Sequence, residues 1–138
     1  MYNLIIVCFL LAISKPVNAQ TIPSESEVQN FLSNNKILIT YREGEVLYGT
    51  YFFIEIHYCP NGYGLYGNTI KKTVLGNEQR SNWQEFGTWK VVTQDELVGI
   101  HYTTTNGIEN FVPVYIYNDN FFIREGLTVL NQGPATCY

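Results

Sequence analysis

The residues best suited to acid–base or metal chemistry are the two histidines, His57 and His101, and a nearby carboxylate, Glu55. Glu55 and His57 are two positions apart, so a β-strand would place both on one face. If the strand carrying His101 lay beside theirs, two imidazoles and a carboxylate would suit a transition metal or a general acid–base pair. The alternative is that both histidines are surface or hydrogen-bonded strand residues. Because the spacing is not diagnostic, we predict that they form neither a catalytic nor a metal site, although they could line one side of a binding cavity.

Other catalytic motifs are absent from the sequence. No serine lies in a nucleophile-elbow pattern, and there is no phosphate-binding loop, paired CxxC or zinc-protease helix. We therefore expect a protein that binds without catalysis and needs no cofactor. An enzyme that uses His57 and His101, either metal-dependent or hydrolytic, is kept as a third hypothesis.

Residues 1–19 have the pattern of a secretory signal peptide. The apolar run 4–13 is too short to span a bilayer, and residues 17–19 are small at the expected cleavage positions. The alternative is a buried first strand or helix. The pattern predicts export, to the periplasm or the extracellular space, without stable membrane insertion.

Two cysteines, Cys59 and Cys137, remain once Cys8 is removed with the signal peptide. In an exported chain, two cysteines most simply form one disulfide. Free thiols or metal ligation are the alternatives. The predicted disulfide would fix the C-terminal tail to the middle of the chain.

The composition limits the function classes. The formal net charge of −4 gives no basic surface for nucleic acid, and aromatic residues make up 15% of the chain against 14% charged residues. Abundant aromatic residues argue against disorder. We expect one monomeric domain over residues 36–138, preceded by a leader and helix over residues 20–35.

The helix is predicted from its capping pattern. Ser24 and Glu27 have the spacing of a capping box, and Val28, Phe31 and Leu32 follow at positions that form one apolar stripe. This stripe predicts a helix that closes the sheet as a plug or lid. A loosely attached helix is the alternative.

From residue 36 onward the apolar residues alternate with a period of two, as in β-strands. The predicted strands are 36–41, 45–58, 63–66, 86–92, 96–104, 111–117, 121–124 and 127–130, and residues 70–75, where the periodicity is weak, are a further candidate. Residues 78–82 are polar and predict a loop, and Pro113 predicts a sheet edge or a bulge. About eight short strands with near-neighbour turns predict an antiparallel up-and-down β-barrel. A two-sheet sandwich is the alternative.

The strand 86–92 indicates which residues face the core. Its alternation places Gly87, Trp89 and Val91 on one apolar face and Lys90 on the opposite face. We therefore predict that Trp89 is buried in the main core and that Lys90 is exposed.

The stretch Gly87-Thr88-Trp89, followed by Val91, resembles the glycine-x-tryptophan strand of lipocalin-like and related calycin barrels. Small exported bacterial proteins with a lipocalin-like domain often show such a stretch. The resemblance implies a cup-shaped barrel that binds small apolar molecules. It implies a structural role for Gly87 and Trp89, and no ligand-contacting residue can be carried over.

Aromatic residues exceed what one small core needs, so some are expected at a binding surface or cavity. The alternative is that these aromatic residues are present only because they favour the formation of β-strands. The candidate ligand-binding residues are Tyr51, Phe53, Glu55, His57, Trp89 and His101. The sequence predicts a small apolar or aromatic ligand. A protein partner, as for a secreted inhibitor or an adhesion module, is the second hypothesis.

Overall fold

The computed structural model describes residues 20–123 and 127–137, and the predicted signal peptide lies outside them. Within the described residues, a helix precedes eight strands: α1 Glu25–Leu32, β1 Asn35–Glu43, β2 Thr50–Cys59, β3 Gly62–Lys72, β4 Glu78–Gln94, β5 Leu97–Thr104, β6 Glu109–Tyr117, β7 Asn120–Ile123 and β8 Leu127–Pro134. Each strand pairs antiparallel with the next, and β8 pairs with β1 to close a barrel. The prediction of an up-and-down barrel with a short helix is confirmed, and the sandwich alternative is wrong.

Helix α1 closes one end of the barrel. Its N-terminus has the predicted capping box: the Glu27 N–H donates to the Ser24 hydroxyl (3.2 Å), and the Ser24 N–H donates to the Glu27 carboxylate (2.7 Å). Val28 and Leu32 are buried in the core, and the Phe31 ring stacks on that of Phe121 at 4.3 Å between centroids. The prediction of a plug packed on the sheet is therefore confirmed.

The core fills the barrel interior next to α1. Strand alternation directs every second side chain inward, and β-branched and aromatic side chains dominate these positions. With Val28 and Leu32 of α1, the buried core consists of Ile37, Ile39, Ile56, Tyr58, Tyr63, Val98, Ile100, Val114 and Val129. This packing leaves the opposite end of the barrel less filled.

Strand β4 is the longest and has two partners in succession. It pairs with β3 over residues 78–87 and with β5 over residues 87–94. Gly87 belongs to both ladders, and a Cβ atom there would overlap the carbonyl oxygen of Thr103, so only glycine fits. The predicted loop 78–82 is wrong because these polar residues pair with β3, where the Thr69 and Ser81 hydroxyls lie 2.7 Å apart.

Two other predictions differ from the structure near turns. Strand β2 begins at Thr50 instead of residue 45, because residues 44–49 form a turn in which Gly44 has φ of 81° and Gly49 has no room for a side chain. Residues 70–75 are not a separate strand, since β3 runs through Lys72 and a turn follows.

Pro113 is paired with Gly99 of β5, and the prediction of an edge or a bulge at this residue stays a prediction. The pairing of β6 with β5 ends at Pro113, and Val114 is the first residue of β6 with a described partner in β7. The missing proline N–H therefore falls at the end of the ladder with β5.

Trp89 points inward and Lys90 points outward, as the alternation predicts. Lys90 is exposed, whereas Trp89 is partly buried instead of fully buried. The indole packs edge-on against Tyr58, with 5.0 Å between ring centroids, and its Nε1–H donates to the Cys59 carbonyl oxygen at 2.9 Å. Trp89 therefore joins β4 to the end of β2 beside α1.

The predicted disulfide between Cys59 and Cys137 is present, with 5.7 Å between the two α-carbons. Cys59 is the last residue of β2, and Cys137 follows β8. The bond therefore connects the C-terminal tail to β2 across the intervening strand β1.

Candidate functional site

A cavity of about 270 Å³ occupies the half of the barrel that faces away from α1. Its wall is mainly apolar because inward-facing positions of most strands supply aliphatic side chains. The lining residues are Ile39, Tyr41, Ile54, Ile56, Tyr63, Leu65, Glu85, Tyr102, Thr104, Ile108, Asn110, Val112, Ile123 and Leu127. Apolar walls with a few polar groups are typical of small-molecule sites.

The polar side of the cavity is centred on Glu85. The Tyr63 hydroxyl donates a hydrogen bond of 2.6 Å to Glu85 Oε1. Glu85 and Asn110 are exposed, which places them at the mouth, whereas Tyr63 is buried. Burial raises the pKa of the Tyr63 hydroxyl, and its hydrogen bond to Glu85 and the charge of Glu85 raise that pKa further. Tyr63 therefore stays protonated and acts as the donor.

Below Tyr63, Tyr102 lines the cavity, and Tyr58 lies behind it in the core next to α1. The Tyr63 and Tyr102 rings meet edge to face, with 5.0 Å between centroids, and the Tyr102 hydroxyl hydrogen-bonds the Tyr58 hydroxyl. Tyr58 is buried, and this burial raises the pKa of its hydroxyl. The phenols thus give the apolar interior a few fixed hydrogen-bonding groups.

We predict that this tyrosine cluster limits stability in alkali. The fold holds Tyr58 and Tyr63 protonated, whereas in the unfolded chain they ionise near pH 10. Their contribution to stability is therefore fully present below about pH 10 and is lost as the pH rises toward their raised folded-state pKa values. The free energy of unfolding, from urea titrations, should fall above about pH 10 by up to about 1.4 kcal/mol per pH unit for each tyrosine. Tyr58→Phe should reduce this slope, and equal slopes in the two proteins would contradict the prediction.

The structure brings Glu55 and His57 together on the outer face of β2, where His57 Nε2 lies 2.7 Å from Glu55 Oε1. The backbone N–H of Thr136 donates to His57 Nδ1 at 2.8 Å. Since Nδ1 accepts, the proton of the neutral imidazole is assigned to Nε2, which donates to Glu55. In this arrangement His57 holds the C-terminal tail beside the disulfide.

His101 does not join this pair. It lies on the outer face of β5, where its Nε2 is 3.9 Å from Glu109 Oε1. Strands β3 and β4 separate β5 from β2 in the sheet, so the two histidines do not converge. In the described part of the chain, no group of three or more His, Cys, Asp or Glu side chains is arranged to hold a metal ion.

The other candidate residues lie away from the interior cavity. Tyr51 and Phe53 share the outer face of β2 with Glu55, and the Lys72 ammonium lies 5.2 Å from the centre of the Tyr51 ring. Trp89 points inward beside α1. None of the six candidates lines the interior cavity, although His57 lines an open outer cleft of about 570 Å³. Ligand binding by these six residues stays a prediction.

Sequence reasoning missed Glu85, Tyr63, Tyr102 and Asn110 as cavity residues. Counting back in twos from Trp89 through Gly87 reaches Glu85, so the alternation contained the signal for that carboxylate. This signal was missed because the polar residues 78–82, which precede Glu85, were predicted to form a loop. The pairing of Tyr63 with Glu85 across strands needs the register, which one sequence does not supply.

Comparisons of this chain with protein-family models, curated proteins and solved structures find no match. The resemblance of the stretch around Gly87 and Trp89 to lipocalin-like barrels stays a prediction. Among the described residues, no helix has the length and apolar character required to cross a membrane.

Proposed function

We propose that this protein is an exported, lipocalin-like barrel that binds a small apolar or aromatic ligand without transforming it chemically. The observation that carries the proposal is the apolar cavity inside the barrel, with helix α1 at one end and a polar mouth at the other. A barrel interior completely filled by side chains would instead have favoured the hypothesis that the protein binds another protein through its outer surface.

The size of the cavity limits the ligand. An engineered apolar cavity of about 150 Å³ binds benzene, and sites for drug-sized molecules begin near 300 Å³. The volume of about 270 Å³ lies between these values. It therefore suits a molecule with one ring, or two small ones.

The disulfide supports the export part of the proposal. Disulfides persist in oxidising compartments such as the periplasm and the extracellular space. The bond between Cys59 and Cys137 would be stable there. It agrees with the signal-peptide pattern of residues 1–19 as an independent observation.

Methyl NMR can test ligand binding at the level of single side chains. With isoleucine δ1 methyl groups labelled with ¹³C, indole should shift the signals of the isoleucines that line the cavity, which are Ile39, Ile54, Ile56, Ile108 and Ile123. The signals of Ile37, Ile70 and Ile116, which do not line it, serve as internal controls. Leu65→Trp should abolish the shifts because the larger side chain fills the cavity.

The matched control for this variant is Leu38→Trp. Leu38 lies between the inward-facing Ile37 and Ile39 on β1, so it faces outward, and the same substitution there should leave indole binding intact. Melting curves of both variants establish that they are folded. Shifts spread equally over lining and control isoleucines, or binding retained by folded Leu65→Trp protein, would contradict the proposal.

A second candidate function is protein binding, and exposed apolar side chains at the open end favour it. In the β1–β2 turn Leu47 is 78% exposed, and in the β3–β4 turn Leu75 is 88% exposed. The two turns are adjacent, since the Lys72 N–H donates to the Gly49 carbonyl oxygen at 3.1 Å. Exposed apolar patches mark interaction sites. A defined cavity is the more specific feature, so ligand binding comes first.

A further inference from the structure

We infer that the cavity selects organic cations, namely small apolar molecules that carry a protonated amine, and that Glu85 is the group that recognises the amine. The inference rests on the proposed function and specifies the ligand class of the same cavity. Two features of the cavity wall carry it: its charge and its aromatic rings.

Glu85 gives the cavity a negative charge that no cation among the described lining residues balances. Among the described lining residues there is one carboxylate and no Lys, Arg or His. The two basic residues of β4 are directed elsewhere: Arg80 is paired with Glu78 at 3.1 Å, and Lys90 lies on the outer face. A carboxylate ligand would therefore be repelled, and an ammonium group would be attracted.

The Glu85 carboxylate can accept further hydrogen bonds. In the described part of the chain it accepts one side-chain hydrogen bond, from the Tyr63 hydroxyl. An ionised carboxylate has about four acceptor sites, and an ammonium group can fill the others with charge-assisted bonds. The bond from Tyr63 also fixes the carboxylate, so little ordering is required when a ligand binds.

Aromatic rings in the cavity wall also favour a cation. Tyr41, Tyr63 and Tyr102 line the cavity, and the Tyr63 ring is part of the side chain that holds Glu85. The negative face of an aromatic ring attracts a cation within about 6 Å of its centre. A carboxylate and several rings together are a more selective arrangement for ammonium than either would be alone.

These features set the orientation of the ligand. The exposed Glu85 places the amine near the mouth, and the aliphatic wall that includes Ile54, Ile56 and Val112 would contact the apolar body. The ligand class is therefore an amine with one terminal positive charge on a compact apolar or aromatic body.

Three probes with the same apolar body test the inference: 3-phenylpropan-1-amine, 3-phenylpropan-1-ol and 3-phenylpropanoate. Dissociation constants come from titrations of the isoleucine methyl signals at pH 7. The amine should bind at least about tenfold more tightly than the alcohol, as expected for a hydrogen bond to a charged group. The carboxylate should bind more weakly than the alcohol.

Glu85→Gln removes the charge and keeps an oxygen that can accept from Tyr63, so the variant should fold. It should weaken amine binding by about 10- to 100-fold and leave alcohol binding within about threefold. Glu109→Gln, which removes an exposed carboxylate from outside the cavity lining, should change neither affinity.

The outcomes separate the two proposals. If the alcohol shifts the lining isoleucines but the amine binds no more tightly, the ligand class is wrong and the proposed function stands. Equal loss of amine and alcohol binding in Glu85→Gln would likewise overturn the recognition role of Glu85. If none of the three probes binds at millimolar concentration, both proposals are overturned.

Discussion

Removal of the disulfide should lower the free energy of unfolding by up to about 4.5 kcal/mol. Cys59 and Cys137 are 78 positions apart, and closing so long a loop restricts the unfolded chain strongly. Cys137→Ala is the suitable variant because Cys137 is exposed, whereas Cys59 is buried and its truncation would also disturb packing. Urea unfolding of the native protein and the variant measures the difference.

Two controls test whether the loss comes from the bond. The double variant Cys59→Ala/Cys137→Ala should lose at least as much stability as Cys137→Ala, and any excess measures the packing lost at the buried Cys59. Intact-mass measurement after alkylation without reductant should show no modification of either cysteine in the native protein. A loss below about 1 kcal/mol would contradict the expected stabilisation by loop closure.

Trp89→Ala should cost about 3 kcal/mol, at the lower end of the range for large aromatic truncations because the indole is partly exposed. The change removes the edge-on contact with Tyr58 and the hydrogen bond to the Cys59 carbonyl. Trp89→Phe keeps an aromatic ring but loses the hydrogen bond, worth about 1 kcal/mol, and part of the indole packing, so its stability should lie between that of the native protein and that of Trp89→Ala.

The matched control is Lys90→Ala on the adjacent, outward-facing position. This exposed side chain should change stability by no more than about 0.5 kcal/mol. If Trp89→Ala and Lys90→Ala had similar melting temperatures, the prediction that the inward-facing side chain contributes more to stability would be wrong.

The barrel could be predicted from sequence because local signals and the overall fold agree. The period of two around Trp89 identified the inward face of β4, and the spacing of Ser24 and Glu27 identified the start of α1. Near-neighbour turns then leave few topologies other than a closed meander. Two cysteines in an exported chain leave one pairing.

The cavity could not be predicted because it depends on register and on residues outside the regular pattern. Glu85 follows a polar stretch that pairs with β3 beyond the buried core, so alternation between apolar and polar residues is lost there. The two histidines stood out in the sequence by their chemistry, but residue type alone does not show on which face of the sheet a side chain lies. His57 lies outside the barrel, where its hydrogen bonds hold the tail.

The change of partner along β4 affects how two copies of this protein can associate, because it leaves part of β4 as an open sheet edge. Among the described strands, β3 pairs with residues 78–85 on one side, and no strand pairs with them on the other. Such an unpaired edge can template the addition of a strand from another molecule. Glu78, Arg80 and Glu85 interrupt this edge, and a strand that added there would have to desolvate their charges. Charge at these positions therefore protects the open edge against edge-to-edge aggregation.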